Sequence, residues 1–152
     1  MLKSCSLCGR VHSPNYNCKA KQDRSKEHFN KRTDKEFYNS SEWDDVRQEV
    51  LDMYNNVDLF SFYIKGKIVE ANNVHHIEPL RGSLEGALEV GNLIPLSDST
   101  HRFVHKLYKL GYKKELQKFL YVCKELWSNN NRQLGMLEKE FEKISKYFWL
   151  GE

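Results

Sequence analysis

No run in this 152-residue chain approaches the ~18 consecutive apolar residues that a membrane-spanning helix requires. The opening residues, MLKSCSLCGR, lack the apolar stretch of a secretory signal, so a cytoplasmic chain with no membrane partner is expected. Cysteine is scarce as well: there are four, and three fall within the first 18 residues. In a chain without a secretion signal, such a cluster points away from a disulfide scaffold and toward metal binding. Internal repeats and low-complexity tracts are also missing. What is present suits one compact domain with a small appendage: 39% hydrophobic and 12% aromatic residues can bury a core, and 30% charged residues keep it soluble.

The 24 Lys/Arg and 21 Asp/Glu are unevenly spread. Residues 1–36 carry a net +5, residues 37–98 a net −7 and residues 99–152 a net +5. Basic ends around an acidic middle suit a polyanion partner at the ends, although ordinary solvated surface gives the same count.

Residues 19–39 are polar, basic and aperiodic, which predicts an extended linker or a frayed helix. Ser41 followed by Asp44 resembles a capping box, and Trp43, Val46, Val50, Leu51 and Tyr54 follow at helical spacing, so a helix is expected near 42–55. Leu59–Ile64 is strand-like, with a turn at Lys65–Lys67. Val74–Ile77 and Asn92–Leu96 are short strand candidates, separated by a Gly/Pro-containing loop over 79–91. Ser97 can cap a helix with Asp98 in its first turn, a face of Phe103, Leu107 and Leu110, and Gly111 as its stop. Helical spacing resumes over 112–127 and again over 132–149.

Four of the six histidines lie between residues 75 and 105. His101 and His105 sit one helical turn apart, so both imidazoles point the same way and can share one metal ion. His75 and His76 are neighbours on a strand and point to opposite faces. Only one of them readily joins the helix pair at a metal, which leaves the other for work such as proton abstraction. Cys5, Cys8, His12 and Cys18 form a second set, C-x2-C-x3-H-x5-C, with four N/S donors within 14 residues. Tetrahedral zinc takes such sets, and a short loop without its own core needs the metal to fold. His28 is the alternative to His12. A redox CxxC is disfavoured because it should open a helix in a βαβ setting. Cys123 falls on an apolar helical face and reads as a buried free thiol.

The order VHHIEPL (74–80), GNLIPLS (91–97) and HRFVH (101–105) resembles the HNH endonucleases, whose core is a ββα-metal finger. The double His and the HxxxH are most similar to the DNase-colicin branch, and WDDVRQEVL (43–51) is similar to the helix that precedes the core in phage members. The likeness spans residues 40–110. It implies an α+β fold in which a small ββα-metal core is surrounded by helices, with an N-terminal zinc-binding loop. The expected division is 1–39 for the zinc segment and basic linker, 40–111 for the nuclease core and 112–152 for a helical extension. It implies His76 as the general base, His75, His101 and His105 as metal ligands, and Asn92 as an orienting residue near His76. Many relatives carry a second zinc site from two CxxC pairs, which by position would fall at Leu59/Phe62 and Ser97/Thr100. With those cysteines absent, packing and helix capping should hold that end, and the structural zinc should sit at Cys5, Cys8, His12 and Cys18.

Three imidazoles favour zinc or nickel, and manganese or magnesium remain workable because phosphate oxygens and waters complete the shell. Arg47 and Arg102 are candidates to reach a phosphate, against the commoner solvated role of arginine. The later aromatics, Tyr108, Tyr112, Phe119, Tyr121, Trp127, Phe141, Tyr147, Phe148 and Trp149, read as core at helical spacing before they read as base-stacking groups. The resemblance implies DNA as the partner, in the cytoplasm of a bacterial host if the chain is phage-encoded. A zinc-binding DNA module without catalysis and an RNA nuclease are the alternatives.

Overall fold

A computed structural model describes residues 2–16, 18–30, 32–80 and 84–146. The chain opens with an antiparallel two-residue ribbon of β1 (Lys3–Ser4) and β2 (Val11–His12). Four helices follow: α1 (Lys19–Asn30), α2 (Asp34–Tyr38), α3 (Ser41–Met53) and α4 (Leu59–Tyr63). Strand β3 (Asn73–His76) then pairs antiparallel with β4 (Leu93–Leu96), placing His75 opposite Ile94 and His76 opposite Leu93. Helix α5 (Asp98–Lys109) leaves β4 directly and completes a ββα unit, and α6 (Lys113–Ser128) and α7 (Glu138–Ser145) close the chain. The fold is thus a mixture of helices and small sheets. Among the described residues no helix is long and apolar enough to cross a membrane.

Of the two readings of residues 19–39, extended linker or frayed helix, the helical one holds: the segment carries α1 and α2. Helix α2 is started by a capping box in which the Glu36 carboxylate accepts from the Thr33 amide at 2.7 Å and Thr33 Oγ1 accepts from the Glu36 amide. The helix delivers Phe37, fully buried, to the core, where its ring lies 5.2 Å from Trp43. Helix α3 is capped by Ser40 rather than Ser41, with Ser40 Oγ accepting from the Trp43 amide.

The strand-like run at Leu59–Ile64 is also a helix. Asp58 caps it by accepting from the Ser61 amide at 2.9 Å, and all five residues of α4 are buried. A short run that is apolar on every side carries no period that separates strand from helix. Leu59 and Phe62 are held by packing, as expected without cysteines there, and each such side chain contributes ~1.5–3 kcal/mol. Ser97 and Thr100 meet Asp58 and Ser61, the residues that immediately precede Leu59 and Phe62.

Helix α5 has the expected Ser97 cap, and Gly111 adopts φ +98 just past its end. Its buried face is Thr100, Val104 and Leu107, while Leu110 is half exposed. In α6, Leu116, Leu120, Cys123 and Trp127 form the apolar stripe. The last helix starts later than the expected residue 132: residues 134–137 form a turn in which the Gly135 amide donates to the Phe62 carbonyl. Tyr147, Phe148 and Trp149 lie outside the described residues. Phe141 of α7 packs edge-on against Phe60 and Phe119, both at 5.4 Å.

Candidate metal centre and catalytic site

Alternation along β3 separates the two adjacent histidines. His75 is almost fully buried and faces α5, where the Ser97 cap sets the first turn and puts His101 and His105 one turn apart. The His75 ring lies 5.2 Å from that of His101 and 4.9 Å from that of His105. His101 Nε2 and His105 Nε2 stand 3.1 Å apart, and one ring nitrogen from each of the three residues falls within a 4.8 Å set.

His75 Nε2 is buried with no hydrogen-bond partner among the described residues. Such an orphan is costly unless something else satisfies its lone pair. Burial, reinforced by the other two imidazoles, pushes the His75 pKa down to about 3. Burial lowers His101 and His105 as well. All three are therefore neutral, lone-pair-bearing imidazoles at neutral pH, the form that binds a cation. The donor set fits a divalent metal of the kind imidazole prefers.

His76 is fixed differently. Its ring stacks on Trp43, with centroids 5.3 Å apart and planes at 20°, and its Nε2 lies 2.9 Å from the Ala87 carbonyl oxygen. A carbonyl only accepts, so Nε2 carries the hydrogen and Nδ1 of the neutral ring is left as the basic nitrogen. Burial lowers its pKa, and the Ala87 bond partly offsets that. His76 and the three clustered histidines line one hollow of about 490 Å³ together with Arg47, Tyr38 and Asn73. Asn92 reads the loop backbone with both ends of its amide: Oδ1 accepts from the Glu78 amide at 2.7 Å and Nδ2 donates to the Glu78 carbonyl at 2.9 Å.

The two candidate arginines separate. Arg47 donates to the Asn72 carbonyl at 2.6 Å at the edge of the hollow. Arg102 pairs with Asp98 at 2.7 Å and lines a second hollow on α5 with Lys106 and Lys109, which His101 and His105 also border. Three groups at the site carried no sequence signal of their role: the Trp43 stack, the Ala87 carbonyl and Tyr108. Tyr108 lies 5.6 Å ring to ring from His75 and donates to the Ile77 carbonyl.

In the N-terminal segment, Cys5, Cys8, His12 and Cys18 also bring one ligand atom each within 4.8 Å. The tight turn between β1 and β2 makes this possible: Gly9 adopts φ +70 and its amide donates to the Cys5 carbonyl. Cys5 Sγ is 4.0 Å from Cys18 Sγ, and Cys8 Sγ is 3.5 Å from His12 Nε2. The backbone amides of Cys8 and Leu7 favour the Cys5 thiolate and draw its pKa down to about 6. Three sulfurs and one imidazole, with no competing disulfide, fit tetrahedral zinc. His28 is outside this set and borders a surface hollow with Lys21 and Arg24. Cys123 is fully buried, and burial pushes its thiol pKa up.

No family model matches the chain, and no curated protein matches it. Among solved structures it is similar to the HNH endonuclease of the deep-sea thermophilic bacteriophage GVE2, crystallised with manganese ion. The two share 26% identity over 63% of this chain and 99% of that one, with a TM-score of 0.45. The histidine cluster and the cysteine–histidine group of this chain could each hold a metal ion.

Proposed function

We propose that this chain is a small metal-dependent HNH endonuclease that hydrolyses DNA phosphodiester bonds. The observation that carries the reading is the division of labour on β3. His75 joins two helix imidazoles in a buried donor set, while His76, next in sequence, is held by a backbone carbonyl with its other nitrogen unprotonated. In this reading His76 Nδ1 takes the proton from the attacking water. His75, His101 and His105 hold a divalent ion, zinc, nickel, manganese or magnesium. Such an ion supplies charge neutralisation at the phosphate and stabilisation of the leaving oxygen. Asn92 keeps the loop backbone in register beside His76, and Arg47 meets a substrate phosphate. Arg102 meets a phosphate further along the strand, from the hollow that it lines beside His101 and His105.

Residues 40–111 carry the nuclease. Residues 1–39 contribute a zinc loop on Cys5, Cys8, His12 and Cys18 with a basic linker, and residues 112–152 a helical extension. The basic ends bind the DNA backbone. The test is incubation of supercoiled plasmid with purified protein across a series of divalent metals and with EDTA, alongside His76→Ala. Metal-dependent nicking or linearisation that EDTA and His76→Ala abolish supports the reading. Failure to cut plasmid with any metal sinks it, and cutting confined to RNA changes the substrate.

A further inference from the structure

The apolar stripe of α6 explains how that helix packs, and it leaves a second stripe unexplained. Gln117, Tyr121 and Lys124 are spaced i, i+4, i+7 and so share a face of α6. All three turn to the loop that joins β3 to β4. Gln117 Nε2 donates to the Ile77 carbonyl at 2.8 Å, and the same oxygen accepts from Tyr108 at 2.8 Å. Tyr121 donates to the Glu78 carboxylate at 3.3 Å. Lys124 Nζ donates to the Val90 carbonyl at 2.9 Å and the Gly91 carbonyl at 2.5 Å. Both ends of the loop are therefore fastened from outside, and the Asn92 amide ties one end to the other. Between these anchors the loop presents Ala87, fully buried, whose carbonyl receives the His76 Nε2 hydrogen.

We infer that Gln117 and Lys124 are positioning residues: through the loop they hold the Ala87 carbonyl against His76 and so select the ring tautomer that leaves Nδ1 basic. The inference rests on the proposed role of His76, and it extends the active apparatus into the helix that follows the ββα unit. A carbonyl displaced by 1 Å no longer holds the proton on Nε2, and misplacement of that size costs up to ~10²-fold in rate.

The experiment uses the full chain and two variants, Gln117→Leu and Lys124→Met. Lys124→Arg is the conservative replacement and Lys118→Met, on an exposed position of α6, the control. Long-range ¹H–¹⁵N correlation of the His76 ring, recorded without added catalytic metal, reads the tautomer independently of cleavage. Wild type, Lys124→Arg and Lys118→Met should show a hydrogen on Nε2. Gln117→Leu and Lys124→Met should show a mixture of the two tautomers. In plasmid cleavage these two variants should lose roughly 10- to 100-fold in kcat, with KM within about threefold. If Lys124→Met fails to fold, Gln117→Leu alone decides. A wild-type tautomer and wild-type kcat in the folded variants overturn the inference. A tautomer change in a protein whose wild type cuts nothing overturns the nuclease reading and leaves the positioning intact.

Discussion

The Asp58 carboxylate accepts from both the amide and the hydroxyl of Ser97, at 3.0 and 2.6 Å, across 39 residues of sequence. The same carboxylate accepts from the Ser61 amide and hydroxyl, each at 2.9 Å, and Ser61 Oγ lies 3.2 Å from Thr100 Oγ1. Four buried polar side chains thus tie the start of α4 to the start of α5, one residue before His101. Asp58→Ala removes the cap of α4 and the acceptor of the Ser97 amide, and so strands two buried amides. It should cost about 2–4 kcal/mol, measured by urea unfolding. A loss under about 1 kcal/mol would show that water replaces the carboxylate without penalty.

Base and ligand should separate by metal titration. His76→Ala should keep fold and metal affinity and lose ~10²-fold or more in cleavage, with no recovery at higher metal. His101→Ala and His105→Ala should bind metal more weakly and recover part of their activity when metal is raised. The opposite pattern would show the two roles to be exchanged.

The histidine cluster makes the protein without catalytic metal sensitive to acid. Its three imidazoles have folded pKa values below the free value of 6.5, His75 at about 3. Below pH 6.5 the unfolded chain therefore binds protons that the folded chain refuses, and stability falls with falling pH. Melting temperature should drop as pH is lowered from 6.5 toward 4, and His75→Leu should flatten that slope. A flat profile in the unaltered protein would contradict the burial of these rings.

The two metal sites should differ in how tightly they hold their ions. Mild chelation should empty the histidine site first, because three thiolates and an imidazole make the stronger zinc set. Changing Cys5 and Cys8 to Ser should remove one tightly bound zinc and loosen residues 1–36, while the core melts as before. Unchanged zinc content by metal mass spectrometry in that double variant would exclude the N-terminal site.

DNA affinity should fall steeply as salt rises, because the basic ends would displace counterions from the phosphate backbone. Affinity that stays flat from low to moderate salt, measured by fluorescence anisotropy, would mean that phosphate contacts do not dominate binding.

Much of the ββα unit was legible in the chain itself. The Ser97 cap, the one-turn spacing of His101 and His105 and the alternation at His75–His76 are local rules, each obeyed within a few residues. The C-x2-C-x3-H-x5-C spacing likewise confines four donors to one short loop, and the structure gathers them. Local rules failed where burial is total or signals are short. The run Leu59–Tyr63 is apolar on all sides, so only the Asp58 cap and the surrounding core made it a helix. The capping box at Thr33 and Glu36 starts a helix within an aperiodic basic segment, and only the packing of Phe37 against Trp43 shows why it is kept. Contacts between distant segments were beyond any local pattern. The stack of Trp43 on His76, the Ala87 carbonyl on His76 Nε2 and the grip of Gln117 and Lys124 on the 77–91 loop each join residues 11 to 40 positions apart. A sequence period states which face a residue occupies, and only the packed tertiary structure decides what that face meets.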